Sequence, residues 1–129
     1  AYFLEYAEKV RNLVDTPLVV TGGFRSADGM VTALRSGATD FIGLARPLAV
    51  YPNLPNELMA DASLSIELRP LTTGIRMIDK MAMLDLTWYE FQLERMAHKK
   101  APKPDMSEWG TFLKTLLGAG VYAFRKRRA

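Results

Sequence analysis

The sequence contains no cysteine and a single histidine, His98. The first absence excludes disulfides, thiolate metal sites, iron–sulfur ligation and a cysteine nucleophile within this chain. One imidazole cannot build a histidine metal cluster, and no metal site is expected. No apolar run approaches the roughly 18 residues of a membrane-spanning helix, and no charged-apolar-small leader opens the chain. A cytosolic origin is therefore expected. The chain starts at Ala1 directly in a helical pattern, which suggests a piece cut from a longer protein. Nothing matches a nucleic-acid-binding motif, so no nucleic-acid partner is expected. There is also no internal repeat and no low-complexity stretch.

What is present is the composition of a soluble globular protein, 49% apolar and 24% charged over 129 residues. The net charge of +3 is unevenly spread: residues 1 to 97 carry nine Lys/Arg against twelve Asp/Glu, and residues 98 to 129 carry eight against two. The basic character belongs to the tail and is not a binding surface distributed over the fold.

The most informative stretch is Leu18 to Pro55. Leu18-Val19-Val20-Thr21 reads as a short buried strand after Asp15-Thr16-Pro17 stops an amphipathic helix over residues 2 to 14. Gly22-Gly23-Phe24-Arg25 follow. Ser26 is placed to cap a helix bearing Ala27, Met30, Val31 and Leu34 on one face, with Gly37 ending it in a left-handed conformation. Asp40 to Ala45 reads as a second strand, and Arg46 follows it. Helix, strand, helix, strand with short connections implies two parallel strands joined by a crossover. Two strands cannot bury both faces of such a sheet, so further partners must come from elsewhere.

Paired glycines remove the Cβ atoms that would hold an anion away from the backbone and permit positive φ. A second strand ending in a small residue and an arginine at the matching place makes two adjacent tips able to share one phosphate. Phosphate sites of this kind recur after strands seven and eight of eight-stranded barrels.

Downstream, prolines 47, 52 and 55 suggest an extended, turning path, with Pro55 opening a helix to Ala60. Residues 61 to 72 read as irregular. Residues 73 to 98 read as helix, with a capping box at Thr87 and Glu90 marking a break near Asp85 to Leu86. A proline-punctuated linker then precedes Ser107, the expected cap of a last helix carrying Trp109, Phe112, Leu113, Leu116, Leu117, Val121 and Phe124 and ending in Arg125 to Arg128. His98 is expected as a helix-terminal cap. Met77, Met81, Met83 and Met96 are expected in the core, and Tyr2, Tyr6, Tyr51, Tyr89 and Tyr122 mostly in core or interface packing.

Thr21-Gly22-Gly23-Phe24-Arg25, then Ile42-Gly43-Leu44-Ala45-Arg46-Pro47-Leu48-Ala49 and Pro52-Asn53-Leu54-Pro55, resembles the end of the old yellow enzyme family of NADH:flavin oxidoreductases. The resemblance covers residues 1 to 60 and, more loosely, Thr73-Gly74-Ile75 and Leu86-Thr87-Trp88-Tyr89. It implies an α/β fold: the last two strands and helices of a (β/α)8 TIM barrel over residues 1–60, with a helical C-terminal extension over 61–129. It also implies FMN, which relays hydride from NADH or NADPH to an activated alkene or related acceptor. By the same resemblance Gly22, Gly23 and Ala45 offer amides to the FMN phosphate. Arg46 binds that phosphate, Phe24 lies beside the dimethylbenzene end of the flavin, and Arg25 belongs to the same cofactor site. Ala45 stands where many members have glycine. Alanine there marks relatives of dienoyl-CoA reductase and trimethylamine dehydrogenase, whose iron–sulfur cysteines this chain lacks, so a single flavin is implied.

The acceptor-binding and proton-donating residues of that family lie on earlier strands. No catalytic residue is assigned here, and the chain alone is expected to be inactive, with the rest of a barrel as its partner and a homo-oligomer possible in the parent. Two other readings stay open: another phosphate-binding barrel enzyme, an isomerase or lyase, and a helical self-association module. Membrane binding by the basic last helix is not expected.

Overall fold

A computed structural model describes the backbone of residues 3–124 and the side chains of residues 3–118. Tyr2 and Arg125 to Arg128, and the side chains of Val121, Tyr122 and Phe124, lie outside the described residues. The chain is mixed α/β and mostly helical, and it divides between Leu68 and Arg69 into two compact units.

The first unit runs α1 (Leu4–Arg11), β1 (Val19–Thr21), α2 (Ala27–Arg35), β2 (Phe41–Gly43), α3 (Arg46–Val50) and α4 (Leu54–Ala60). β1 and β2 pair in parallel with Val19 opposite Phe41, Val20 opposite Ile42 and Thr21 opposite Gly43. The connecting α2 starts where expected, because Ser26 Oγ accepts the Gly29 N–H at 3.2 Å. It is left through Gly37 at φ 75°. Val20 faces a core of Ala7, Phe24, Met30, Ala33, Leu54 and Ile66, with Ile42 packed against it. The opposite face of the sheet is open: Val19 is 63% and Phe41 59% exposed.

Hydrogen bonds and an ion pair hold the amino ends of the strands together. Asp40 accepts the Leu18 N–H at 2.7 Å and pairs with Arg11. Asp40 and Phe41 N–H donate to Leu18 O at 2.9 and 3.1 Å. Thr39 Oγ1 lies 3.0 Å from Leu18 O and 2.8 Å from Phe41 O.

After β2 the chain does not follow the extended path that its prolines suggest. It turns at once into α3, with Pro47 in the first turn, where a missing N–H costs no hydrogen bond. Pro47, Ala49 and Val50 are buried. Residues 61 to 68 are irregular, as expected, and return to the strand ends. Ser65 bridges Ser26, and the Ile66 N–H donates to Arg25 O at 2.6 Å.

The second unit contains α5 (Arg76–Met81), α6 (Leu84–Ala97) and α7 (Glu108–Phe124). The break between α5 and α6 falls at Ala82 and Met83, earlier than the capping-box pattern places it, and Met83 is left-handed at φ 44°. Thr87 is no cap. It sits inside α6, where its hydroxyl donates back to Ala82 O and Met83 O at 3.1 and 3.3 Å.

The methionine expectation also fails. Met77 and Met81 are 73% and 65% exposed, because α5 buries none of its residues, Met83 in the break after it is 60% exposed, and Met96 is half-buried. Of the tyrosines, Tyr89 is buried and Tyr6 is exposed. α6 contributes Leu84, Thr87, Trp88, Tyr89 and Gln92 to the unit's interior and ends at His98, as the sequence suggests. Ser107 Oγ caps α7 through the Gly110 N–H at 3.3 Å.

Candidate phosphate-binding cleft

Because Thr21 and Gly43 are register partners, the carboxyl ends of β1 and β2 lie side by side, and the residues that follow them face each other. Gly22, Gly23, Phe24, Arg25, Ala45 and Arg46 line one small cleft of about 50 Å3, together with Thr21, Gly43, Leu44 and Pro47. A space of that size holds a few water-sized groups. All six residues singled out from the sequence are thus brought to one place.

Their backbone explains the sequence. Gly22 and Gly23 have φ of 110° and 78°, which L-residues with side chains rarely adopt. At Gly22 the demand is conformational and not one of room, since an added Cβ would make only ordinary contact with the Phe3 ring at 3.5 Å. Two successive residues of positive φ turn the chain sharply at the strand tip.

The two arginines differ. Arg25 is half-buried and its Nη1 donates to Phe24 O at 2.9 Å, so its guanidinium folds back on the turn. Arg46, first residue of α3, is exposed and has no hydrogen bond or ion pair among the described residues. It is the cation available to an incoming anion. Phe24 lines the cleft, but its ring is 4% exposed and belongs to the core with Val20, Met30 and Ile66.

Sequence reasoning singled out neither Thr21 nor Gly43 as a site residue. The signal was a glycine inside an apolar strand, Ile42-Gly43-Leu44, which marks close approach of another group. Among the described residues no cluster of His, Cys, Asp and Glu is able to hold a metal ion, and no helix is long and apolar enough to cross a membrane.

Comparison with known proteins places this chain in a family. The chain is 35% identical over 109 residues to the NADH-dependent flavin oxidoreductase iccE of Talaromyces variabilis, a match covering 75% of this chain and 26% of that protein. It is 43% identical over 60 residues to the NADH-dependent flavin oxidoreductase iliE of Hypocrea jecorina, covering 46% of this chain and 15% of the relative. The chain is a relative of the NADH-dependent flavin oxidoreductases. The resemblance read from its motifs therefore holds. A cinnamate reductase of Clostridium sporogenes is also similar, 34% identical over 59 residues, covering 46% of this chain and 9% of that protein. This flavin oxidoreductase relative spans about a quarter of the length of iccE and less of the others. A match covering three quarters of the chain takes in parts of both units, so the kinship is not confined to the cleft. No family model matches the chain, and no solved structure matches it.

Proposed function

We propose that this chain supplies the FMN phosphate-binding end of an NAD(P)H-dependent ene-reductase-type oxidoreductase. In this reading, residues 1–60 are the last two strand–helix units of a (β/α)8 barrel and residues 61–129 a helical C-terminal extension. The parallel pair joined by α2, and the uncovered Val19 and Phe41 on the far face of the sheet, suit strands taken from a closed barrel. The names of the relatives support a flavin and NADH, and the cinnamate reductase is in keeping with an activated alkene as acceptor.

The observation that carries the proposal is the convergence of two left-handed glycines, the Ala45 backbone and an unpartnered Arg46 on one phosphate-sized cleft. Amides of Gly22, Gly23 and Ala45 would meet the phosphate oxygens, and Arg46 would neutralise them. Arg25, tied to Phe24 O, would hold the turn in shape and add charge from behind. Phe24 would brace the cleft from the core, with its edge toward the ring system. Bound FMN supplies the hydride relay, and the chain's own residues bind and orient it. The acceptor-binding and proton-donating groups would come from the rest of the barrel, so the chain alone is inactive. The protein would be cytoplasmic, and a homo-oligomer would cover the exposed face of α7 at Trp109, Leu113, Leu116 and Leu117.

The test is flavin content. The full-length protein carrying this chain should purify yellow with an FMN spectrum, and Arg46→Gln should weaken FMN binding by about tenfold or more while leaving riboflavin binding unchanged. A colourless protein would favour a phosphate-binding isomerase or lyase on the same barrel.

A further inference from the structure

Gly43 closes β2 directly opposite Thr21, the last residue of β1. A Cβ added to Gly43 would fall 1.9 Å from Thr21 Oγ1, 2.9 Å from Thr21 Cβ and 3.3 Å from Thr21 Cα. The Thr21 side chain therefore leans across the gap between the strands, and its hydroxyl fills the space that any other residue at position 43 would claim. Gly43 is not among the residues with positive φ, so backbone freedom does not explain it. Glycine in a strand costs about 0.5–1 kcal/mol against alanine. Here that cost is accepted to seat one hydroxyl.

That hydroxyl has no hydrogen-bond partner among the described residues. The hydroxyls of Thr39, Thr72, Thr73, Thr87, Thr111 and Thr115 find protein partners, whereas those of the exposed Thr16 and Thr32, like that of the exposed Thr21, find none among the described residues, so it is the place of Thr21 and not its lack of a partner that sets it apart. Sheet packing does not call for a hydroxyl either. Valine has the same shape and at least as high a strand preference, and Val19 occupies the equivalent exposed place two residues earlier. What distinguishes Thr21 from Val19 is position, because Thr21 borders the cleft lined by Gly22, Gly23, Ala45 and Arg46.

We propose that Thr21 is a further ligand of the phosphate held in this cleft, its Oγ1–H donating to a phosphate oxygen, and that Gly43 is a positioning residue that keeps room for it. This rests on the cleft being the phosphate site. A hydroxyl serves an anion by rotating its proton toward whichever oxygen the amides and the guanidinium leave unmet.

The experiment titrates FMN and riboflavin into the apo form of the full-length protein carrying this chain, following flavin fluorescence, for wild type, Thr21→Val, Thr21→Ser and Arg46→Gln. Thr21→Val should raise the FMN Kd about tenfold, as expected for loss of one hydrogen bond to a charged group, without changing riboflavin binding. Thr21→Ser should stay within about threefold of wild type, since it keeps the donor. The apo unfolding midpoint of Thr21→Val should equal that of wild type. If Arg46→Gln weakens FMN binding and Thr21→Val does not, the assignment of Thr21 is wrong and the cleft stands. If neither weakens it, the phosphate site itself is wrong. Equal losses on FMN and riboflavin, or a lowered midpoint in Thr21→Val, would mean a ring contact or a structural role, and either would overturn the proposal.

Discussion

The guanidinium of Arg69 lies 5.5 Å from the centroid of the Trp88 ring. Its Nε and Nη2 donate to Pro104 O and Met106 O at 3.0 and 2.8 Å, and it pairs with Glu108. One side chain thus joins the start of the second unit, the middle of α6 and the linker before α7. Arg69→Ala should lower stability by about 1–2 kcal/mol, and Arg69→Lys should recover only part, because an ammonium cannot stack and fork at once. Urea unfolding followed by tryptophan fluorescence would measure both.

Gln92 is fully buried and clamps the same linker. Its Oε1 accepts the Lys103 N–H at 2.7 Å while its Nε2 donates to Lys103 O at 3.2 Å. Gln92→Leu keeps the volume and strands both backbone groups. A loss of about 1–3 kcal/mol is expected, with faster amide exchange over residues 101 to 106. Unchanged exchange there would show that the clamp is dispensable.

Asp40 titrates below its ordinary range, chiefly because the Leu18 N–H bonds its carboxylate and secondly because of the Arg11 hydrogen bond. A depressed folded-state pKa means that the contribution is complete above the unfolded value, about 3.9, and is lost as the pH falls through the folded value. Asp40→Asn should therefore be less stable than wild type at pH 7. The two stability curves should converge below about pH 4, as pH-dependent denaturation would reveal.

Gly43→Ala places a methyl against Thr21 and should cost about 1–3 kcal/mol by overpacking. Thr21→Ala removes the Oγ1 obstacle but not the Cβ one, so a double-mutant cycle should give coupling of about 1 kcal/mol. Additive losses would mean that the two residues do not compete for the same space.

The open sheet face predicts association. With Val19 and Phe41 exposed side by side, the 129-residue chain studied alone should self-associate, and Phe41→Thr should weaken the association about tenfold. Sedimentation that finds a monomer at high concentration would count against it.

Much of the first unit was legible because local chemistry decides it. Ser26 had to cap and Gly37 had to end α2, and both do, so the two strand tips could be set side by side from sequence alone. The misreadings share a cause: residue types acting outside their usual positions. Pro47 belongs to a helix start and not to an extended segment. Met83 takes a left-handed backbone that glycine usually fills, so the break before α6 carries no composition signal. Thr87 spends its hydroxyl on the preceding turn's carbonyls instead of on a cap.

The return of Ile66 to the Arg25 carbonyl, across forty residues of intervening chain, bears on how the molecule is best dissected. A truncation at Ala60 would amputate the strap behind the glycine turn and leave the Phe24 ring bare on one side. Any minimal piece meant to keep the glycine turn in shape has to run through Leu68.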